Sequence, residues 1–154
     1  MRLTLADVRR FVDADSGLAV VSFARPDGTV HSSLVNAGVM PHPVTGVGSV
    51  ALVIRDNTVK LRHWRARPGA GATLVFKSGW SWIGVEGPIS VIGPEDPYEG
   101  FDPGQVPRLL REVFVSAGGT HDDWDEYDRV MAEEGRTAVF VEPRRITGSG
   151  TGVS

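Results

Sequence analysis

The sequence predicts a mainly β domain with α additions, six or so mostly antiparallel strands arranged as a small barrel. Short β-branched, apolar runs bounded by Gly, Pro, Asp and Asn recur along the chain. Helical spacing of apolar residues is confined to the start, one short middle stretch and a late stretch. Strands therefore do not alternate with long helices, which argues against a doubly wound parallel sheet. A small barrel carrying helices fits the order better.

Each element has a local reason. Thr4 and Asp7 make a Thr-x-x-Asp helix start. Leu5, Val8, Phe11 and Val12 follow at helical spacing, so 5–13 reads as a short amphipathic helix. The run 18–24 is β-branched and apolar, Pro26-Asp27-Gly28 is a turn, and 30–39 is the return strand of a hairpin. Residues 49–55 form a third strand, broken by Asp56-Asn57. Residues 60–65 read as one or two helical turns ended by Pro68 and Gly69. Two more strands, 72–76 and 81–92, flank a turn at Lys77-Ser78-Gly79. After a Gly-, Pro- and Asp-rich loop, Val106, Leu109, Leu110, Val113 and Phe114 mark a helix that Gly118-Gly119 ends. Thr120 with Asp123 starts another, with Trp124, Tyr127, Val130 and Met131 on one face and Gly135 as its C-terminal stop. Residues 137–142 are a last strand.

At 154 residues this is one domain, spanning 1–147, with a Gly/Ser-rich tail over 148–154 expected to be disordered. Hydrophobic and charged contents of 41% and 23% are those of an ordinary globular protein. A net charge of −3 argues against nonspecific nucleic-acid binding, and no apolar run reaches the length of a membrane helix. The start, MRLTLADVRRF, does not read as a secretory signal. Cysteine is absent, which excludes thiolate catalysis and makes a cytoplasmic location the default expectation.

The most informative stretch is 55–87. Its basic cluster, 55–67, holds Arg55, Lys60, Arg62, His63, Arg65 and Arg67 against Asp56 alone, and Lys60 is one of two lysines in the chain. A cationic loop beside a strand suits an anionic small molecule, most simply a phosphate. A solvated basic surface is the alternative that charge alone leaves open. Residues 120–134 carry seven carboxylates against Arg129 and could face the basic stretch, within one chain or across a dimer. There is no G-x-G-x-x-G, no Walker loop, no G-x-S-x-G elbow and no metal-ligand spacing among His31, His42, His63 and His121. Trp80 and Trp82 flank Ser81 and would share a strand face, where they either stack on a planar ring or pack.

Four segments occur in order: ARPDGTVHSSLVNAGV, TVKLRHWRARPGA, GWSWIGVEG and THDDWDEYDRVM. Together they resemble the pyridoxamine-phosphate-oxidase-like split β-barrel superfamily, and within it the actinobacterial branch that uses the deazaflavin coenzyme F420. The resemblance covers about residues 3–147. It implies an FMN-binding-like split barrel that works as a homodimer, with the cofactor at the subunit interface. The ring would lie across Ser32, Ser33, Val35 and Asn36 on one strand and Val53, Ile54 and Arg55 on the next. The phosphate would fall to Thr58, Lys60 and Arg62, and Trp80 and Trp82 would arrive from the partner subunit. Val59 stands where flavin binders commonly carry arginine, which leaves Arg55 or Arg62 to supply a guanidinium and favours F420 over FMN. Arg65 and Arg67 are outer candidates for the deazaflavin's acidic tail. Pro143-Arg144-Arg145 lacks the substrate-phosphate residues of true pyridoxamine phosphate oxidases. The activity implied is F420-dependent hydride transfer to a small acceptor. The alternatives are an FMN-dependent oxidoreductase of the same fold and a non-enzymatic carrier of F420, flavin or a tetrapyrrole. No catalytic acid or base can be named from the residues.

Overall fold

The computed structural model describes residues 2–67 and 69–149. In chain order the elements are α1 (Leu5–Ala14), β1 (Leu18–Ala24), β2 (Val30–Pro41), β3 (Gly48–Ile54), α2 (Val59–Ala66), β4 (Gly71–Ser78) and β5 (Ser81–Ile92). There follow α3 (Val106–Ser116), α4 (Trp124–Glu133), β6 (Thr137–Val141) and β7 (Arg145–Gly148).

Two long strands make the barrel. β2 and β5 have 12 residues each, and each pairs with one neighbour along its first part and another along its second. β2 pairs β1 through Asn36 and β3 from Ala37 onward. β5 pairs β4 through Pro88 and β6 from Ile89 onward. With β1 also on β4 and β3 on β6, six antiparallel strands close into a barrel, and β7 adds to the first half of β5. This is a split β-barrel, as the sequence predicts. At the switch in β5 a side chain cannot be fitted: a Cβ on Gly87 would lie 1.5 Å from the carbonyl oxygen of Glu142.

Alternation along the strands separates two apolar cores. Val50, Leu52 and Ile54 of β3 face the barrel interior, with Phe23, Leu74, Phe76, Val85 and Val139. α1 contributes Val8, Phe11 and Val12 to that interior, and α2 contributes Leu61 and Trp64. Ala51 of β3, with Ala138 and Phe140 of β6, faces outward, where Leu109, Leu110 and Val113 of α3 and Tyr127 of α4 cover it. Both faces of β3 and β6 are thus buried, which is why they read as near-continuous apolar runs. Gly38 permits the helical layer to sit close, since a Cβ there would fall 2.3 Å from the Ser116 backbone.

Several expectations change. The late helix starts at Trp124, and its cap is Asp123, whose carboxylate accepts the Glu126 N–H at 3.1 Å, rather than Thr120. Lys77 belongs to β4, and Trp80 lies in the turn before β5 instead of on the strand. β7 was not foreseen. Gly148, expected to open a disordered tail, pairs with Ile83, and the Ser149 N–H donates to the Trp82 carbonyl at 3.2 Å. Pro68 and the remainder of the expected tail, 150–154, lie outside the described residues. Among the described residues no helix is long and apolar enough to cross a membrane.

Candidate functional site

The end of β3 sets the site. The strand stops at Ile54, Asn57 adopts a left-handed backbone (φ 60°), and Thr58 caps α2. The Thr58 hydroxyl donates to the Arg55 carbonyl at 3.1 Å and accepts the Leu61 N–H at 3.3 Å. These two hydrogen bonds fix the turn and place Lys60 on the first turn of the helix. The Lys60 ammonium donates to the Ser33 hydroxyl of β2 at 3.0 Å. Burial pushes its pKa below the usual lysine value, so the charge sits where water solvates it incompletely.

Beside this turn lies a cleft of about 520 Å³ on the outer face of the barrel. Its floor is Leu34, Val35 and Asn36 of β2 with Val53, Ile54 and Arg55 of β3. Its far wall is the end of α3 with Phe114, Ala117, Gly118 and Gly119, and the α4 side chains Tyr127 and Met131. Thr58, Lys60 and Arg136 complete it. The cleft is therefore two-ended, apolar and aromatic along the helices and cationic where β3 meets α2. Its size is that of an ordinary small-molecule site.

Arg55, Lys60 and Arg136 are the cations of this cleft. One carboxylate stands against them: Glu134 Oε2 lies 3.6 Å from Arg55 Nε and 3.3 Å from Arg136 Nη2. The Arg136 Nε is buried and has no hydrogen-bond partner among the described residues. Tyr127 donates its phenol proton to the Leu110 carbonyl at 3.1 Å, and burial pushes its pKa up to about 12. That phenol stays protonated at neutral pH and is already committed.

Of the residues expected at the site, Val35, Asn36, Val53, Ile54, Arg55, Thr58 and Lys60 line this cleft together. Ser33 reaches it through Lys60. Ser32 instead bonds the Ser22 hydroxyl at 2.8 Å, and Arg62 points into solvent outside the lining. The guanidiniums that line the cleft are those of Arg55 and Arg136, not Arg62. Arg65 is not available to a ligand. It donates to both oxygens of Asp96 (2.6–3.1 Å) and to Asp56 at 2.9 Å, and its pKa rises accordingly, chiefly from the Asp96 bonds. The basic and acidic stretches do meet within the chain, at Arg55 and Glu134.

Trp80 is 98% exposed and Trp82 39% exposed, and neither lines the cleft. They belong to a different feature. Leu34 on the cleft floor pairs with Val20, and Val20 with Val75, which in turn pairs with Gly84. The Trp82 ring reaches over Gly84, whose ideal Cβ position is 3.6 Å from it. Leu34 at 66% and Val20 at 43% exposure make this row an apolar surface running from the cleft around the barrel.

Sequence reasoning missed Arg136, Phe114, Tyr127 and Met131. The α4 face was visible as an apolar stripe, but nothing local says which strand it covers. Arg136 carries no motif at all. It enters because β6 begins opposite the end of β3, Thr137 pairing with Ile54. Among the described residues no three His, Asp or Glu side chains converge as a metal site.

No family model and no curated protein matches the chain. Solved structures do. A pyridoxamine 5'-phosphate oxidase-related, FMN-binding protein from Nostoc punctiforme superposes with a TM-score of 0.64 at 10% identity, covering 93% of this chain and 79% of that one. The fold is the split β-barrel that this FMN-binding protein also has. An F420 reductase shares this barrel with a TM-score of 0.56 at 11% identity over 87% of this chain and 91% of its own. HutZ, the heme storage protein of Vibrio cholerae, shares it with a TM-score of 0.59 at 10% identity, over 99% and 98% of the two chains. At these identities the split-barrel likeness speaks for the fold, one used by oxidoreductases and by binders of ring-shaped cofactors.

Proposed function

We propose that the chain is an F420-dependent oxidoreductase that works as a homodimer and binds the deazaflavin in the cleft between β2, β3 and the helices. The observation that carries this reading is the two-ended cleft. Its apolar length, with Leu34, Val53, Phe114 and Met131, suits a planar ring. Its cationic end, with Arg55, Lys60 and Arg136, suits the phosphate of the same molecule. The Lys60 ammonium is incompletely solvated and bonded to the neutral Ser33 hydroxyl, and the buried Arg136 Nε has no acceptor among the described residues, as suits a site built for an anion. When bound, reduced F420 would supply a hydride to a small electron-poor acceptor. The chain's own tasks are then to hold the phosphate, orient the ring and keep water from its face. Tyr127 is not offered as a proton donor, because its proton is held by Leu110.

The dimer is favoured by the exposed apolar row from Leu34 through Val20 to Trp82. A surface of that kind running into a ligand cleft marks a site of association. A second copy seated there would bring the partner's aromatic hairpin toward the ring, which gives Trp80 an occupation that solvent does not.

An FMN-dependent oxidoreductase is the second reading, favoured by the likeness to the FMN-binding barrel. Val59, exposed beside Lys60 and unable to bind phosphate oxygens, speaks for F420. The test is anaerobic turnover of electron-poor enones, quinones and nitroaromatics with reduced F420, followed by the return of oxidised deazaflavin absorbance. Turnover that needs the protein supports the reading. Binding of reduced F420 without turnover of any acceptor makes the protein a carrier instead.

A further inference from the structure

The cationic end of the cleft is closed by the chain's own carboxylate, and the way it is closed is informative. We propose that Glu134 is a built-in, displaceable occupant of a phosphoryl-binding clamp made by Arg55 and Arg136. The proposal deepens the cofactor reading of the same cleft and rests on it for the natural ligand.

Two kinds of arginine occur in this chain. Arg65 is closed: four donor–acceptor contacts of 2.6–3.1 Å tie it to Asp96 and Asp56. Arg55 and Arg136 are open. Each meets one oxygen of one shared carboxylate, at 3.6 and 3.3 Å, beyond the 2.7–2.9 Å of a good charge-assisted bond. Arg136 keeps a buried Nε with no partner among the described residues. Arg55 is largely exposed, and Glu134 and Arg136 are half-buried, so the pairs are weak ones.

The carboxylate is nonetheless held in place. Glu134 is the C-cap of α4, and its carbonyl accepts the Asp56 N–H at 3.3 Å, bridging the end of α4 to the turn after β3. The side chain is thus presented to the two guanidiniums by a fixed backbone. As placed, one of its oxygens meets both at long distance and satisfies neither. A phosphoryl group can satisfy both, because it carries up to two negative charges and three acceptor oxygens. The C-terminus of α4 opposes any anion here with about half a charge. Arg55, Lys60 and Arg136 exceed that and Glu134 together. The carboxylate's expected role is to keep the clamp neutralised and formed until a phosphoryl group displaces it, at the cost of some affinity.

The experiment is thermal unfolding of the full chain against inorganic phosphate, with chloride holding ionic strength constant. Phosphate should raise the unfolding temperature of the parent saturably. Glu134→Gln should lower the half-saturating phosphate concentration about two- to fivefold, the usual worth of such a pair. Arg136→Met should raise it about tenfold or more. Arg55→Gln, at an exposed position, serves if Arg136→Met does not fold, and should weaken phosphate in the same direction. No response to phosphate in the parent, or a Glu134→Gln protein no tighter than the parent, overturns the clamp. F420 and FMN titrations of the parent separate this from the function. If phosphate behaves as described and neither cofactor binds, the clamp stands and the cofactor reading falls. If cofactor binds and Glu134→Gln leaves phosphate affinity unchanged, only the clamp falls.

Discussion

Replacing Lys60 by alanine separates binding from folding. In the free protein the ammonium donates to Ser33 at 3.0 Å and carries a pKa lowered by burial. Losing the hydrogen bond should cost about 0.5–1.5 kcal/mol, and removing a poorly solvated charge should return part of that. Stability should therefore stay within about 1 kcal/mol of the parent, read by urea unfolding. Binding should not be spared. A charge-assisted bond to a phosphate oxygen contributes about 1.5–3 kcal/mol, so F420 affinity should fall about ten- to a hundredfold in a fluorescence titration. The difference should shrink with added salt, though only partly for a half-buried site. Arg62→Ala is the control, two residues along the same helix but exposed and outside the cleft. A Lys60→Ala protein that binds like the parent, or an Arg62→Ala protein that loses as much, would refute the assignment of the phosphate end.

Three further outcomes follow from other parts of the molecule. His42 is buried, its Nδ1 accepts the N–H groups of Val44 and Thr45 at 3.2 Å each, and burial lowers its pKa despite the opposing charge of Glu142. Because the folded pKa lies below the unfolded value of about 6.5, its contribution is present above that pH and is lost as pH falls below it. His42→Gln should flatten the stability–pH slope there. Only in part, since His31 and His63 are depressed as well, and equal slopes for the two proteins would count against this origin. Gly87→Ala should cost about 1–3 kcal/mol or more, since its Cβ would meet the Glu142 carbonyl at 1.5 Å, and an unchanged melting temperature would contradict the tight strand switch. Val20→Glu and Trp82→Lys should each shift the sedimentation coefficient toward the monomer while leaving the circular dichroism spectrum intact. A parent already monomeric at micromolar concentration would remove the basis for the dimer.

How much of this was legible in the residues differs by element. β3 and β6 announce themselves because two buried faces demand β-branched and apolar side chains on both sides of the strand, and β1 because its run is β-branched and apolar although one face is exposed. β7 does not, since Arg145-Ile146-Thr147-Gly148 is a strand only by virtue of the free edge of β5 beside it. Lys60 was visible in its charge run and Thr58 through the resemblance to a phosphate loop, while the capping of α2 by Thr58 emerges only in the fold. Arg136 and Glu134 were not, because their place depends on β6 lying against β3. Arg65 looked like the rest of its cluster. Its withdrawal from the site depends on Asp96, which is 31 residues away and reached only through the fold. Trp80 was assigned to a strand from alternation, but the hairpin turn extends one residue further and turns it outward.

The most direct measurement is a fluorescence titration of the purified protein with F420 and, separately, with FMN. The account predicts saturable binding of F420, tighter than that of FMN, and competition between the two for one site. Equal or reversed affinities would contradict the choice of deazaflavin, and failure of either to bind would contradict the cleft as a cofactor site.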